Sequence, residues 1–168
     1  PDCGDAVSGS GFAVGSGQVL TNAHVVAGVR EPVVRVRIGD PGLAATVVYF
    51  DPRADIAVLD VPGLEARPLQ LAGALAESGD SAVVAGFPDG GPFRAEPARI
   101  RTVVEARGDD IYGRAGVERQ VYVLRGLVRP GNSGGPLLDL DGRALGMVFG
   151  ADEQEETTGF ALTSGQLE

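Results

Sequence analysis

The feature that most limits what this chain can fold into is its punctuation. Apolar runs are short, and glycine, proline, aspartate or asparagine cuts each of them off, with 26 Gly and 11 Pro spread over 168 residues. A helix shorter than about 12 residues draws little stability from itself, whereas strands of about four to eight residues bounded by turn formers are ordinary units of a β-protein. Eleven such runs read as strands. The first five are Val7–Val14, Gln18–Asn22, Val33–Ile38, Ala44–Asp51 and Ile56–Val61. The other six are Ser81–Gly86, Arg94–Arg107, Val121–Arg125, Gly135–Leu138, Arg143–Gly150 and Gly159–Leu162. Val34, Val36 and Ile38 alternate with Arg35 and Arg37, the period of a half-buried strand. Pro136–Leu145 reads as a hairpin turning at Asp141-Gly142, a pair that accepts the positive φ of a tight turn. Only His24–Ala27 and Leu71–Glu77 have helical character. The expectation is an all-β barrel or sandwich, with the Pro- and Ala-rich stretch around 62–78 dividing the strands into two comparable sets.

Composition narrows the chemistry. Apolar residues make up 43% of the chain, enough for a sizeable core. There is one His and one Cys, all 14 basic residues are Arg, and the net charge is −9. A zinc site built from Cys and His needs more ligands than that, and Cys3 has no second cysteine in the chain to pair with. The acidic balance, with no basic stretch, argues against nucleic acid or an anionic membrane surface as main partner. No apolar run approaches a membrane span. Pro1-Asp2-Cys3-Gly4 starts without Met or an apolar signal segment, so the chain is expected to be a mature or excised piece.

Three short motifs carry chemistry. In Gly131-Asn132-Ser133-Gly134-Gly135-Pro136, the glycines let the backbone turn sharply, expose a hydroxyl and aim successive N–H groups at one point. Serine is a poor nucleophile unless a base takes its proton, and the only imidazole is His24. It sits in Val19-Leu20-Thr21-Asn22-Ala23-His24-Val25-Val26, where a strand ends and a short turn could hold the ring. Asp55, directly before the apolar run Ile56-Ala57-Val58-Leu59, can orient that ring from the mouth of a strand. Asp51, beside Pro52, and Asp60, at the far end of the run, are weaker rivals. The Gly-x-Ser-x-Gly spacing also fits the nucleophile elbow of α/β-hydrolases, but there the His follows the Ser. Subtilisin-type order, Asp before His, is excluded as well.

His, Asp and Ser in this order, in these motifs, resemble the chymotrypsin-like (trypsin-like) serine proteases over nearly the whole chain. Within them the sequence is most similar to bacterial cell-envelope members, the HtrA-type proteases and the acid-resistance periplasmic proteases of actinobacteria. Gly146-Met147-Val148-Phe149-Gly150 and Thr158-Gly159-Phe160-Ala161-Leu162 resemble the two strands that line and close the specificity pocket. The resemblance implies two six-stranded antiparallel β-barrels with the active site in the cleft between them. It places a first barrel at 7–65, a linker at 66–80 and a second barrel at 81–165, as a single protease domain over 1–168. It further implies Ser133 as nucleophile, His24 as general base and Asp55 as its orienting carboxylate. The backbone around Gly131, Asn132 and Ser133 would form the oxyanion hole, with no metal or other cofactor. Substrates would be proteins or peptides of the cell envelope, and the domain would be a monomer tethered to a membrane anchor outside this chain.

Departures from the animal digestive members sharpen this. Val25 stands where they have a disulfide cysteine. Asn132 stands where they have the Asp that pairs with a new N-terminus on zymogen cleavage, so that activation route is not expected. Leu127, six residues before Ser133, is no acid, and Gly150 and Gly159 would leave the pocket mouth open. With Val148 and Phe149 as walls, an apolar or aromatic side chain is expected before the scissile bond. Asp152-Glu153-Gln154-Glu155-Glu156 is either a solvated loop or a charged rim. A general-base imidazole must be neutral, so simple peptide cleavage should weaken in acid. The resemblance also implies that Cys3 pairs with a cysteine beyond residue 168 in an oxidised, extracytoplasmic protein. Two alternatives stay open on the residues alone: a non-catalytic protease-like binding module, and a serine esterase on the same fold.

Overall fold

The computed structural model describes residues 8–168. Cys3 and the first residue of the expected strand Val7–Val14 lie outside the described residues. The first half runs β1 (Phe12–Gly15), β2 (Gln18–Thr21), a single helical turn α1 (Ala23–Val26), β3 (Val33–Val34), β4 (Leu43–Ala44), β5 (Thr46–Asp51) and β6 (Ile56–Asp60). The second half runs β7 (Ser81–Gly86), β8 (Arg94–Gly108), β9 (Val117–Gly126), β10 (Pro136–Leu138), β11 (Ala144–Ala151) and β12 (Thr158–Thr163).

The second half closes into an antiparallel barrel in the order β10-β11-β12-β9-β8-β7, with Leu137 opposite Val84 sealing the seam. Its interior holds Val84, Ile100, Tyr122, Leu124, Leu137, Val148 and Ala161. Burying side chains of this size contributes roughly 1.5–3 kcal/mol each. Tyr122 is fully buried, and its hydroxyl accepts the Ala76 N–H at 2.9 Å. The hairpin expected at Pro136–Leu145 is β10–β11, with Gly142 at φ 83° and the Asp139 carboxylate accepting the Asp141 and Arg143 N–H groups.

The expected first barrel is not found. Among the described residues the first half is an open four-stranded sheet, β1-β2-β6-β5, beside a separate ribbon of β3 and β4. The expected strand Val33–Ile38 pairs only over Val33–Val34. Beyond it Val36 and Ile38 are 45% and 56% exposed, alongside Arg35 and Arg37. Period-two alternation marks a face that could be buried, but Gly39, Pro41 and Gly42 end the pairing before a partner strand arrives. β5 is left as an edge, with Val48 and Tyr49 exposed.

The helix expected at Leu71–Glu77 is also absent. Leu71 bridges Ala144 in parallel, Ala72 N–H donates to Ala144 O at 2.8 Å, and Ala144 N–H donates to Gln70 O at 2.8 Å. Backbone groups spent on the barrel cannot make intrahelical bonds, and this outweighs the propensity of Leu, Ala and Glu.

The two halves share a core. Phe12, Leu20 and Ile56 from the open sheet pack with Val121, Ala144, Met147 and Leu162 from the barrel. The tip of the long β8–β9 hairpin adds polar ties. Ile111 N–H donates to Pro52 O, the Arg53 guanidinium to Gly116 O, and Arg119 to Arg53 O, at 2.8–3.2 Å. The loop leading to Asp55 is thereby braced from the barrel side.

Candidate active site

The carboxylate is placed by a strained turn. Asp51 Oδ1 accepts the Arg53 and Ala54 N–H groups at 2.9 and 3.1 Å, curling the chain so that Asp55 enters β6 at φ 59°. Positive φ is uncommon outside glycine, and Asp tolerates it better than most. Asn22, fully buried at the end of β2, donates from Nδ2 to Asp55 O at 2.9 Å and holds the turn in place. The rivals resolve accordingly: Asp51 is a turn former and Asp60 ends β6 on an exposed position.

Asp55 then grips His24 twice. Oδ1 accepts the His24 backbone N–H at 2.9 Å, and Oδ2 lies 2.7 Å from Nδ1. The carboxylate is only 5% exposed and the imidazole 39%. An ionised carboxylate can only accept, so Nδ1 carries the proton and Nε2 keeps its lone pair, free to act as a base.

Ser133 sits in a tight turn held against Ser10 and Thr21 of the first half. Gly134 has φ 92°, and a Cβ there would collide with Ser10 O and Thr21 Oγ1. A Cβ on Gly9 would lie 2.6 Å from Val25 and 3.2 Å from Ser133 O, so the residue after His24 and the nucleophile backbone flank one glycine. The Ser133 hydroxyl itself donates to Phe149 O at 3.2 Å, not to the imidazole. The structure therefore joins His24 to Asp55 directly, while the Ser133 hydroxyl is turned toward β11.

The carbonyls of the turn all point into the protein. Pro130 O accepts from Asp89 N–H, Gly131 O from Ser10 Oγ, Asn132 O from Gly135 N–H, and Ser133 O from Ser10 N–H. In a trans peptide N–H and C=O point opposite ways. The Gly131 and Ser133 N–H groups accordingly find no acceptor among the described residues. Asn132 departs from the expectation that it shares the oxyanion hole. Its N–H donates to Arg129 O at 3.0 Å and its Oδ1 accepts the Arg129 N–H at 2.9 Å, so it braces the loop instead.

The expected pocket residues divide. Val148 is fully buried in the barrel; its N–H donates to Gly135 O and its carbonyl accepts from Gly134 N–H, so it supports the nucleophile turn and presents nothing to a pocket. Leu127 is 37% exposed and outward. Its neighbour Val128 is the residue against Gly159, with Cγ2 2.5 Å from where a Cβ would stand. Gly150 is open, with no atom within 4 Å of its Cβ position, and the half-buried Phe149 stacks on Phe160 at 6.3 Å. In the acidic loop, Asp152 accepts the Gln154 and Glu155 N–H groups and Glu155 accepts the Thr158 hydroxyl. Two of its four acids thus hold the turn, which weakens the reading of a purely charged rim. Ser10, Asn22 and Val128 were not singled out from sequence; the flanking Gly9 and Gly11 were the only signal for Ser10.

A closed antiparallel barrel against a second β-half, with a joined His–Asp pair in one half and a glycine-flanked serine in the other, is the layout of a trypsin-like domain. The family model described as "Trypsin-like peptidase domain" matches residues 9–147, and the chain belongs to that family. Serine protease Rv3671c of Mycobacterium tuberculosis is 48% identical over 99% of this chain and 42% of its own length. Mitochondrial serine protease HTRA2 of Bos taurus is 34% identical over 95% of this chain and 34% of its own length. The chain thus spans less than half of these curated relatives. The crystal structure of the Rv3671c protease in its active form superposes with a TM-score of 0.91 at 48% identity, covering 95% of this chain and 70% of that one. The inactive form gives 0.87, covering 95% and 80%.

Proposed function

We propose that this chain is the protease domain of a serine endopeptidase that cleaves proteins outside the cytoplasm, in the cell envelope. The observation that carries the reading is the doubly held, buried Asp55 with its 2.7 Å contact to His24 Nδ1, packed beside a serine turn with two free N–H groups. In the reaction the Ser133 hydroxyl leaves the Phe149 carbonyl, turns to His24 Nε2 and gives up its proton as Oγ bonds to the scissile carbonyl carbon. The carbonyl π pair moves onto oxygen, where the Gly131 and Ser133 N–H groups receive it. His24 returns the proton to the leaving amine as the C–N bond breaks. Water then repeats the sequence on the acyl-enzyme. Asp55 keeps the imidazole in the required tautomer and stabilises its cation.

Fluorophosphonate labelling tests this: wild type should be labelled at Ser133, and Ser133→Ala and His24→Ala should not. A folded wild-type chain that stays unlabelled refutes it and favours a binding module. Casein cleavage then separates a peptidase from an esterase. The envelope setting is supported by relatives such as the "Probable periplasmic serine endoprotease DegP-like" of Pseudomonas putida, 34% identical over 83% of this chain. A role in acid stress, a membrane anchor and a disulfide at Cys3 complete the proposal. Iodoacetamide reactivity of Cys3 in a longer chain under oxidising conditions would refute the disulfide.

A further inference from the structure

One buried residue outside the triad uses all of its polar groups on the nucleophile turn and its supports. Ser10 N–H donates to Ser133 O at 2.8 Å, and Ser10 O accepts the Thr21 hydroxyl at 2.7 Å. Its own hydroxyl accepts the Phe87 N–H at 2.9 Å and donates to Gly131 O at 2.6 Å. Because the hydroxyl has one proton and Phe87 approaches as a donor, the direction is fixed: the proton can go only to Gly131 O.

That carbonyl belongs to the peptide lying between the two free N–H groups. The N–H of the same peptide, on Asn132, is held by Arg129 O at 3.0 Å. Gly131, at φ 94°, has no side chain to resist rotation of this peptide. Rotating it changes ψ of Gly131 and φ of Asn132, and so swings the Gly131 and Ser133 N–H groups relative to each other. Close packing and hydrogen bonds oppose that motion, and the Ser10 hydroxyl supplies one of the bonds from a different part of the chain. The site is built to the size of serine: a Cβ on Gly86 would lie 2.7 Å from Ser10 Oγ, and one on Gly135 would lie 3.3 Å from Ser10 Cβ.

We infer that Ser10 is a positioning residue for the oxyanion hole, locking the Gly131–Asn132 peptide so that the flanking N–H groups converge on the developing oxyanion. The inference rests on Ser133 being the nucleophile. It adds that the hole is held from the first half of the chain, through the Ser10 hydroxyl.

The test compares Ser10→Ala with wild type and with Ser164→Ala, which removes a buried serine hydrogen bond of the same kind, Oγ to Ala72 O at 2.9 Å, outside the nucleophile turn. For Ser10→Ala, kcat should fall about 10- to 100-fold, short of the roughly 10²–10³ for deleting a donor outright, with KM moving less than about two-fold. The affinity of a substrate-like peptide aldehyde, which forms an oxyanion on Ser133, should fall by the same factor, while the matching peptide alcohol binds as before. Ser164→Ala should lower thermal stability by a comparable amount but leave the aldehyde-to-alcohol ratio in place. If Ser10→Ala does not fold, Ser10→Cys, which keeps a weak donor, is read by the same ratio and should show a smaller loss. Unchanged kcat in folded protein, or aldehyde and alcohol weakening together, overturns the inference alone. A wild type that fluorophosphonate does not label overturns the Ser133 reading and this one with it.

Discussion

Asp55→Asn separates what Asp55 does electronically from what it does structurally, because the side chains are nearly isosteric. Asn tolerates positive φ as well as Asp, so the backbone at φ 59° should survive. The carboxylate now accepts two bonds, from His24 N–H at 2.9 Å and at His24 Nδ1 at 2.7 Å. An amide has one acceptor oxygen and one donor nitrogen. If the oxygen stays on the backbone N–H, the NH₂ faces Nδ1 and forces the proton to Nε2, where it blocks transfer from Ser133. If the amide flips, the NH₂ opposes the His24 N–H, and the lost bond costs about 1–3 kcal/mol of stability. The first arrangement is cheaper, so the tautomer should be wrong in the folded protein. The same change in a Ser-His-Asp triad lowers kcat about 10⁴-fold, or about 5.4 kcal/mol of transition-state stabilisation. The assay is kcat on a peptide amide at neutral pH, with the urea midpoint of each variant as control. A variant within ten-fold of wild type, with an unchanged midpoint, would refute the assignment of Asp55.

Three further outcomes follow from the packing. Gly134→Ala should cost about 2–5 kcal/mol by denaturant titration, from the left-handed backbone and the collision with Ser10 O and Thr21 Oγ1; a loss below about 1 kcal/mol would mean the turn can move aside. The Arg114 N–H, with the Tyr112 N–H behind it, holds the Asp110 carboxyl below its ordinary value. Its stabilisation is therefore present above the unfolded carboxyl's pKa of about 3.9 and lost as pH falls through the lower folded value. Asp110→Asn should flatten that acid limb of the thermal-melting profile and leave the neutral profile's shape alone. Val128→Ala should shift a peptide-library profile toward bulkier apolar side chains before the cut, while Leu127→Asp leaves it unchanged; a new preference for Arg in Leu127→Asp would return Leu127 to the pocket base.

How much of this was legible from sequence depended on whether a residue's role is local. Ser81–Gly86 matches β7 residue for residue, because a strand sealed inside a barrel must show its apolar run and its bounding turns. Val33–Ile38 misleads because alternation says which face could be buried and is silent on whether a partner strand exists. Leu71–Glu77 misleads because propensity is local while its competitor, Ala144, comes from elsewhere in the chain. The three motifs stand out in sequence because a nucleophile, a base and a carboxylate each demand a residue type, and of the three residues the structure joins His24 to Asp55. The Gly131 and Ser133 N–H groups could be named as donors from the resemblance, but the exclusion of Asn132 was not readable. Asn132 fails as an oxyanion donor through bonds to Arg129, and Leu127 yields to Val128 by one residue in register.

The open first sheet and the precise site are compatible because the site does not depend on barrel closure. The exposed residues Val36, Ile38, Val48 and Tyr49 lie on β5 and the segment after β3. The strands that deliver the chemistry are β2 and β6, and these are paired along their length, from Gln18 opposite Asp60 to Thr21 opposite Ala57. β2 ends at Asn22, which holds Asp55; β6 begins after Asp55, which holds His24. Leu20 and Ile56 on the same two strands enter the core shared with Met147 and Leu162 of the barrel. The His24–Asp55 geometry is thus fixed by a two-strand unit welded to the barrel, and loosening the β3–β4 ribbon should leave it standing while breaking the shared core should not.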